Sequence, residues 1–354
     1  MKSPASWSIE SLENWVARLL EKAGLAANDA AAVAGVIVRT EVRGVATHGL
    51  SRLPSYVEKL GSGEYNSHPH ITHTVKAGAL RLDGDGAMGQ LAGLRAIDAC
   101  CEVAREQAVT MCFARNLGHL GAVGIYPLIA AERGFVSIAI QRTPPLLAMP
   151  GSSGPLIGHN PIAFAAPVPG SDPVVFDMAC SVAARGHVLL AVERGEEIPE
   201  GWAVDASGSP TTDAKAARDG MLLPFGGYKG LGIAMLGELL AGSLAADIDD
   251  REGMRPAAGT SLGAGALGGQ TAFFLVINPS LATEAATYAA LMSDWTRHFA
   301  ANAGNAARLP GLRAAALERT ARDRGVPIAS DVVERLLALS GRLGVPAADA
   351  MTVC

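Results

Sequence analysis

Two side chains in segment 44–52, which reads GVATHGLSR, could act together on a small carboxylic acid. Thr47 is a residue type that caps helix N-termini, because its hydroxyl oxygen can accept a free backbone N–H. If a helix begins there, His48 lies in the first turn and Arg52 lies four residues later on the same face. Histidine can transfer a proton, and the guanidinium of arginine can hold a carboxylate with two parallel hydrogen bonds. The simpler alternative is a helix start that carries a surface histidine and arginine.

The charge of His48 decides whether it can accept a proton from an alcohol. The positive end of a helix dipole disfavours a further positive charge in the first turn. The sequence therefore predicts a neutral imidazole near pH 7, with the Arg52 guanidinium close enough to share one small ligand.

A second histidine with a similar potential lies in segment 115–126, which reads RNLGHLGAVGIY. His119 stands between glycines after a strand-like apolar run, so that a ligand could approach it closely. It is therefore a second candidate for acid–base chemistry. A structural histidine held in a turn explains the same residues, and the local sequence leaves both interpretations open.

Three further histidines, His68, His70 and His73, resemble a metal cluster. On a strand His68 and His70 would share one face and His73 would lie on the other. Neither a cysteine nor a carboxylate completes a ligand set nearby. We expect a solvated connector here and no bound metal.

Two stretches match GxGxxG, the fingerprint of dinucleotide-binding Rossmann folds. Gly84, Gly86 and Gly89 follow a predicted strand and open a helix, which is the required context. That fold also needs an acidic residue at the end of the next strand, where this chain has Arg115, a residue suited only to a 2′-phosphate. A second match, at Gly263, Gly265 and Gly268, precedes a strand instead of a helix. Both matches are better explained as glycine turns.

Three other segments place small residues in turns beside strands, at 158–167, 176–188 and 224–232. Such turns let backbone N–H groups approach a phosphate or a carboxylate. Lys229 would start the helix after the last of these turns, but GxxxxGK[ST], the sequence of a P-loop, is absent.

The order of elements predicts an α/β (α+β) chain with helical ends. Capped amphipathic patterns predict helices over 8–24 and 26–43, and helices return over 280–301, 312–324 and 328–343. Strand-like runs alternate with helices between them, which predicts a mixed sheet. We expect residues 1–74, completed by 283–354, to form a helical domain, because chain termini often lie close together. Residues 75–282 would form the α/β domain.

Composition narrows the class of protein. With 354 residues and 49% apolar residues the chain can bury a large core. A net charge of −5 without a basic block argues against nucleic acid as a partner. We also expect no membrane association and a cytoplasmic location, because there is no long apolar stretch and no signal-like N-terminus, and the five cysteines, including Cys354, form no paired pattern.

Taken together, the motifs GVATHGLSR, RNLGHLGAVGIY, GHNPIAFAAP, FDMACSVAARG, GWAVDASGSPTTDA and LPFGGYKGLGIAMLGELLAG resemble, in type and order, the malate/L-lactate dehydrogenase family of the second type. The resemblance extends over nearly the whole chain, to the RLPG segment at Arg308. It implies hydride transfer between NAD or NADP and a small 2-hydroxy or 2-oxo acid. It also implies a non-Rossmann cofactor domain over 75–282 and a homodimer. The family includes ureidoglycolate and sulfolactate dehydrogenases, diketogulonate reductases and piperideine-2-carboxylate reductases.

The resemblance also assigns residues by position. His48 and His119 match the family's two acid–base histidines, Thr47 its hydroxyl neighbour and Arg52 its substrate arginine. His159 stands where a substrate-contacting threonine is usual. The positions that match cofactor contacts are Asp177, Met178, Ala179, His187, Lys229, Gly230 and Arg308.

Departures from the family pattern leave the substrate open. Thr47 replaces a serine, His159 a threonine and Leu117 a frequent serine, while His187 stands where dehydrogenases often have lysine. A small 2-hydroxy acid, a cyclic imino acid, or a ligand bound without turnover all remain compatible with the sequence.

Overall fold

A computed structural model describes residues 6–247, 270–304 and 307–347 of the chain. The strands are β1 (Ser6–Trp7), β2 (Thr72–Lys76), β3 (Ala79–Ala87), β4 (Val109–Leu117), β5 (Val136–Arg142), β6 (Ile162–Ala166), β7 (Val174–Met178), β8 (Ala203–Val204), β9 (Pro210–Thr211), β10 (Met221–Leu222), β11 (Gln270–Ile277) and β12 (Val326–Pro327).

The helices before the middle of the chain are α1 (Ile9–Lys22), α2 (Ala27–Val42), α3 (Leu53–Gly61), α4 (Gly89–Val103), α5 (Ile125–Glu132) and α6 (Arg185–Arg194). Those after it are α7 (Ala214–Asp219), α8 (Tyr228–Gly237), α9 (Pro279–Ala282), α10 (Ala285–Ala303), α11 (Leu312–Arg324) and α12 (Ser330–Leu343). The predicted mixture of strands and helices is confirmed.

Seven strands form one mixed sheet in the order β2-β3-β4-β11-β5-β6-β7. Only β3 and β4 are parallel neighbours, and every other adjacent pair is antiparallel. Following these directions, β3, β4, β5 and β7 all end at the same edge of the sheet, and β6 and β11 begin there. We call this the upper edge. Loops that are far apart in sequence therefore meet along it.

Helices cover both faces of the sheet. Alternate residues of β11 point to opposite sides, so Phe274 joins the core beneath α4 and α5 while Phe273 packs with Ile140 and Ala241 on the other face. Segment Glu238–Ser243, a π-helical continuation of α8, covers that second face. Helix α8 is thus tied to the sheet mainly through its C-terminal extension.

The two ends of the chain meet on the helical side of the molecule. Trp7 of β1 pairs with Val326 of β12, and its ring stacks on Trp15 with 5.7 Å between the ring centroids. The indole of Trp15 donates a hydrogen bond of 3.1 Å to the Ser340 hydroxyl on α12. Ser8 caps α1 as the sequence predicts, accepting the Ser11 N–H at 3.0 Å.

Several predicted boundaries were wrong for local reasons. The sequence predicts a helix from Ser181 to Glu193, but this helix begins only at Arg185, because Ser181 forms a β-bridge with Pro224. The first GxGxxG match spans β3 and the start of α4, while the second match and Cys354 lie outside the described residues. In the part of the chain that the structure describes, we find no helix with the length and apolarity that crossing a membrane requires.

Candidate active site

Three histidines from separate segments lie close together at the upper edge of the sheet. His119 follows β4, His159 precedes β6, and His48 lies just before α3. The ring centroids of His48 and His119 are 5.6 Å apart, and the charge of His48 influences the pKa of His159. All three side chains are half-buried. The fold thus brings together both predicted acid–base histidines and the predicted substrate contact.

The segment with His48 does not begin the helix that the sequence predicts. Residues Ala46–His48 and Leu50–Arg52 form two short 3₁₀ turns, and α3 starts only at Leu53. Thr47 is therefore not an N-cap. Its hydroxyl instead lies 2.9 Å from Nδ1 of His48.

The reason for this irregular backbone is a close contact with α2. A Cβ on Gly49 would lie 2.3 Å from the carboxylate oxygen Oε2 of Glu41 and 3.0 Å from the backbone N and Cα of Glu41, so glycine allows the close approach of the two segments. The same carboxylate oxygen accepts the Leu50 N–H at 2.9 Å. Glu41 thereby holds the turn that leads from His48 to Arg52.

His119 is fixed through both its ring and its backbone. The Tyr56 hydroxyl lies 2.9 Å from its Nδ1, and its N–H donates to the Tyr65 hydroxyl at 3.3 Å. The buried amide of Gln141, on β5, accepts the Leu120 N–H at 3.0 Å and donates to the Gly118 carbonyl at 3.1 Å. The histidine therefore sits in a rigid loop, with its Nε2 as the ring nitrogen not bound to Tyr56.

A series of hydrogen bonds connects His159 to the neighbouring segments of the chain. Its Nδ1 is 3.2 Å from the Thr143 hydroxyl, which follows β5, and its carbonyl accepts the Cys180 N–H at 2.8 Å. The Cys180 carbonyl in turn accepts the Phe225 N–H at 3.0 Å. The segments that end β7 and precede α8 thus lie beside the third imidazole.

The surroundings keep these imidazoles neutral. Burial, and next the positive charge of Arg52, lower the pKa of His48 to about 4. Burial and Arg52 also depress the pKa of His119 well below its usual value. Burial, and next the repulsion from His48 when that ring is also protonated, lower the pKa of His159 to about 4. The predicted neutral His48 is confirmed. Its cause is burial and a neighbouring guanidinium, and not a helix dipole, because no α-helix begins at Thr47.

Two guanidinium groups face the histidine cluster. Arg52 is exposed, as a ligand-binding group should be, and Arg185, at the first position of α6, is half-buried. The positive charge of Arg52 lowers the pKa of His48 and of Arg185, and the positive charge of Arg185 helps to lower the pKa of His159. Within the described ranges, neither arginine forms an ion pair with a carboxylate.

The predicted cofactor positions at the end of β7 adjoin the same site. Asp177 is exposed at the rim of the cleft, and its Oδ2 accepts the N–H of Gly124, the residue before α5, at 2.7 Å. Desolvation of this carboxylate by the surrounding protein atoms raises its pKa to about 6, despite the hydrogen bond from Gly124, which lowers it. Met178 and Ala179 are half-buried and follow it toward Cys180.

The turn before α8 has the features of an anion cradle. Gly226 and Gly227 have φ values of +58° and +63°, and a Cβ on Gly227 would meet no atom within 4 Å. The first N–H groups of a helix lack intrahelical partners, and here they belong to the residues around Lys229. Gly230 allows the tight turn, because a Cβ there would lie 2.1 Å from the Phe225 carbonyl.

Two predicted cofactor residues are not part of the histidine cluster. His187 is exposed on the first turn of α6, with its ring 6.1 Å from that of Trp202. Arg308 is exposed in the loop before α11. That loop is held against β7, because the Pro310 carbonyl accepts the Val175 N–H at 3.0 Å.

Other candidates from the sequence do not form a site. His68, His70 and His73 are exposed, and the described residues contain no group of three or more possible metal ligands. Arg115 forms an ion pair of 2.6 Å with Asp83. Gly89, the last glycine of the first GxGxxG match, allows close packing, since a Cβ there would lie 2.3 Å from the His119 carbonyl.

A cavity of about 620 Å³ lies elsewhere, between α1, α2 and α11. Both arginines of its lining are paired with carboxylates: Arg39 contacts Glu132 and Glu318, and Arg322 lies 3.1 Å from Glu318. Glu10 and Glu13 also line the cavity, so its lining has more carboxylates than guanidinium groups and disfavours an acidic ligand. The cleft with the histidines is therefore the better candidate.

Sequence reasoning missed four residues of the site: Tyr56, Gln141, Thr143 and Arg185. Tyr56 had a local signal, because it lies four residues after Arg52 and so shares its side of the chain. The other three had no local signal. Gln141 lies in β5, Thr143 directly follows it and Arg185 begins α6, and only the order of strands in the sheet reveals that they lie near the histidines.

Comparison with known proteins agrees with this geometry. A sequence model described as malate/L-lactate dehydrogenase matches residues 7–337. The chain is 37% identical over 245 residues to a malate dehydrogenase of Pyrococcus abyssi, covering 66% of this chain and 67% of the relative. It is 33% identical over 345 residues to a Delta(1)-pyrroline-2-carboxylate reductase of Ancylobacter novellus, covering 97% and 99%.

Among solved structures, a sulfolactate dehydrogenase of Methanocaldococcus jannaschii matches with a TM-score of 0.85 at 28% identity, over 98% of this chain and 99% of that one. These relatives are dehydrogenases and a reductase, so the predicted class of enzyme, an oxidoreductase, is confirmed. The match over residues 7–337 shows that this chain belongs to the malate/L-lactate dehydrogenase family.

Proposed function

We propose that the protein is an NAD(P)-dependent oxidoreductase that interconverts a small 2-hydroxy acid and its 2-oxo acid. The observation that carries this proposal is the pair of neutral imidazoles, His48 and His119, with ring centroids 5.6 Å apart beside the guanidinium of Arg52, which forms no ion pair with a described carboxylate. A proton acceptor and a carboxylate ligand are the two groups that this reaction requires from the protein.

Arg52 would bind the substrate carboxylate. Its position directly before α3 ties it to Tyr56 and, through Leu50, to Glu41, so its backbone is held in place. A bound carboxylate would offset the guanidinium charge that lowers the pKa of His48 and His119. Substrate binding would thus raise the pKa of both imidazoles and make them better proton acceptors.

His48 or His119 would accept the hydroxyl proton of a 2-hydroxy acid and return it in the opposite direction. Thr47 and Tyr56 hydrogen-bond to Nδ1 of the two rings, which leaves Nε2 of each for the substrate. His159 would contact the substrate from the side of β6. Proton transfer of this kind typically contributes about 10²- to 10⁴-fold to the rate.

The residues around α8 and β7 fit a nicotinamide dinucleotide. The open glycine turn, Lys229 and the start of α8 would hold a phosphate group. The predicted cofactor residues that adjoin the histidines are Asp177, Met178 and Ala179. Parts of the dinucleotide further from the histidines would contact Gly230, His187 and Arg308. A nicotinamide cofactor supplies or accepts the hydride. We infer a non-Rossmann cofactor domain, because Rossmann sheets are largely parallel and this sheet contains one parallel pair. The choice between NAD and NADP stays open.

We further propose two domains, with residues 1–74 and 283–354 forming the helical one and 75–282 the cofactor-binding one. The pairing of β1 with β12 and the contacts of α11 and α12 with α2 and α3 support it.

We also propose a cytoplasmic homodimer. Buried free thiols at Cys100, Cys101, Cys112 and Cys180 support the location. Apolar side chains on α8 and α10 that are exposed among the described residues support the dimer.

One alternative substrate class has specific support. The Ancylobacter novellus relative, which matches 97% of this chain, is named as a reductase of a cyclic imino acid. The same carboxylate ligand and proton donor would serve that reaction, since the substrate also carries a carboxylate next to the reduced carbon.

The test is to mix purified protein with NADH or NADPH and a panel of 2-oxo acids and cyclic imino acids. We expect loss of the reduced-nicotinamide absorbance with at least one 2-oxo acid. A preference for a cyclic imino acid would support the alternative. Tight cofactor binding without loss of absorbance on the whole panel would indicate a binding protein and overturn the proposal.

A further inference from the structure

Arg185 is a cation at the site to which neither the sequence motifs nor the proposed proton transfer assign a role. It is the first residue of α6, in a segment fixed against the histidine cluster by two contacts. The Cys180 N–H donates to the His159 carbonyl at 2.8 Å, and Ser181 forms a β-bridge with Pro224. Helix α6 therefore starts close to His159.

The guanidinium of Arg185 is close to both Arg52 and His159. Burial and the charge of Arg52 lower the pKa of Arg185, and the charge of Arg185 helps to lower the pKa of His159. Charges influence each other in salt solution mainly within roughly 10 Å. The Arg185 guanidinium therefore lies in the neighbourhood of Arg52 and His159, in agreement with the backbone contacts that place the start of α6 beside His159.

The two arginines near the histidines form no ion pair with a described carboxylate. In the described part of the chain Arg43, Arg115 and Arg142 each pair with a carboxylate, whereas Arg52 and Arg185 pair with none. The three imidazoles are neutral, so they add nothing to the two positive charges. Half-buried cations are costly without a counter-ion, which a ligand can supply. A ligand that balances two cations carries two negative groups.

We propose that Arg185 binds the second acidic group of a dianionic substrate, a 2-hydroxy or 2-oxo acid with a further carboxylate or sulfonate. This inference rests on the proposed function, because it takes Arg52 as the ligand of the first carboxylate. It makes Arg185 a specificity-determining residue that favours dianions over monocarboxylates and cyclic imino acids.

The experiment compares Arg185→Gln with wild type on oxaloacetate, a dianion, and pyruvate, a monoanion. A hydrogen bond to a charged group contributes about 1.5–3 kcal/mol, so we expect kcat/KM for oxaloacetate to fall by about 10- to 100-fold. We expect kcat/KM for pyruvate and KM for the reduced cofactor to stay unchanged. Arg194→Gln, at the exposed end of the same helix, is the matched control and should behave as wild type.

Binding of malonate and acetate, measured by titration calorimetry, keeps the proposal testable if no 2-oxo acid is turned over. Wild type should bind malonate more tightly than acetate, and Arg185→Gln should lose that difference, with Arg185→Lys intermediate. Equal losses on oxaloacetate and pyruvate, a raised KM for the cofactor alone, or a malonate affinity unchanged in Arg185→Gln would each overturn it. Turnover of no substrate, with the malonate preference intact, would overturn the proposed function only.

Discussion

At the scale of single residues, the chemistry depends on imidazoles that stay uncharged. His48 has a pKa of about 4 because burial disfavours its charged form and Arg52 adds a positive charge nearby. In the free protein it is therefore neutral at every pH above about 5 and ready to accept a proton. The measurement is therefore kcat/KM for oxidation of a 2-hydroxy acid as a function of pH. We expect it to stay constant down to pH values well below the one at which an ordinary histidine becomes protonated.

The same reasoning predicts the effect of removing the Arg52 charge. In Arg52→Gln the pKa of His48 and of His119 should rise, because the positive neighbour that disfavours their protonation is gone. Both should stay below the ordinary value, because burial remains. Titration of the histidine ring protons by NMR measures this directly. Arg95→Gln, which removes an exposed arginine paired with Asp29, is the control and should leave both values in place.

Unchanged histidine pKa values in Arg52→Gln would show that the guanidinium does not share the cleft with the imidazoles.

The sequence was informative about residues wherever a motif was local. His48, Arg52, His119 and His159 were all identified, and the structure places them at one edge of the sheet. The neutral charge of His48 was predicted for the wrong reason, because no α-helix begins at Thr47: the chain forms two 3₁₀ turns there, with a close contact between Gly49 and Glu41. Such a contact joins two segments whose pairing no local pattern encodes.

At the scale of elements, the site depends on the close approach of α4 to the loop after β4. A Cβ on Gly89 would lie 2.3 Å from the carbonyls of both Gly118 and His119. The glycine match at 84–89 therefore serves packing at the base of the active site. The sequence predicted a glycine turn there but could not identify the neighbour that requires it.

Gly89→Ala should therefore displace the His119 loop. Overpacking of a tight contact typically costs about 1–3 kcal/mol, and we expect a lower free energy of unfolding together with a lower kcat. Urea denaturation and steady-state kinetics measure the two effects. Gly35→Ala, in the middle of α2 with no atom within 4 Å of the added Cβ, is the matched control and should be about 0.5–1 kcal/mol more stable.

If Gly89→Ala kept wild-type stability and turnover, the contact between α4 and the His119 loop would not be what positions the imidazole.

Element types were predictable because the apolar periods were clear, but two starts were not. Helix α3 begins later than its predicted cap at Thr47, and α6 begins later than its predicted start at Ser181, since the preceding residues make tertiary contacts. These displaced starts lie next to His48 and Arg185. The irregular backbone is thus concentrated where the site is built.

At the scale of the whole molecule, two helices carry apolar side chains that are exposed in the part of the chain that the structure describes. Helix α10 has 19 residues and buries none of them, and it exposes Leu291 and Trp295 at 64% and 47%. The outer side of α8 and its extension exposes Met235, Leu236 and Leu239. Helices gain most of their stability from packing an apolar face, so a second copy of the chain is the partner that the proposed homodimer provides.

We expect the protein to have the mass of a dimer in light scattering at micromolar concentration. Leu239→Asp, which adds a charge to the apolar side of the extension, should shift it toward the monomer mass. Val75→Asp changes a similarly exposed apolar residue on β2, far from both helices in sequence, and should not. A monomer for wild type would contradict the homodimer and leave these two helices unexplained.

The most direct test of the central claim is the rate of reduced-nicotinamide oxidation by His48→Gln and His119→Gln with the best 2-oxo acid. Cofactor binding is followed by fluorescence in the same samples. We predict that at least one variant loses about 10²- to 10⁴-fold in kcat while it binds the cofactor as wild type does. Wild-type turnover in both variants would show that neither imidazole transfers the proton.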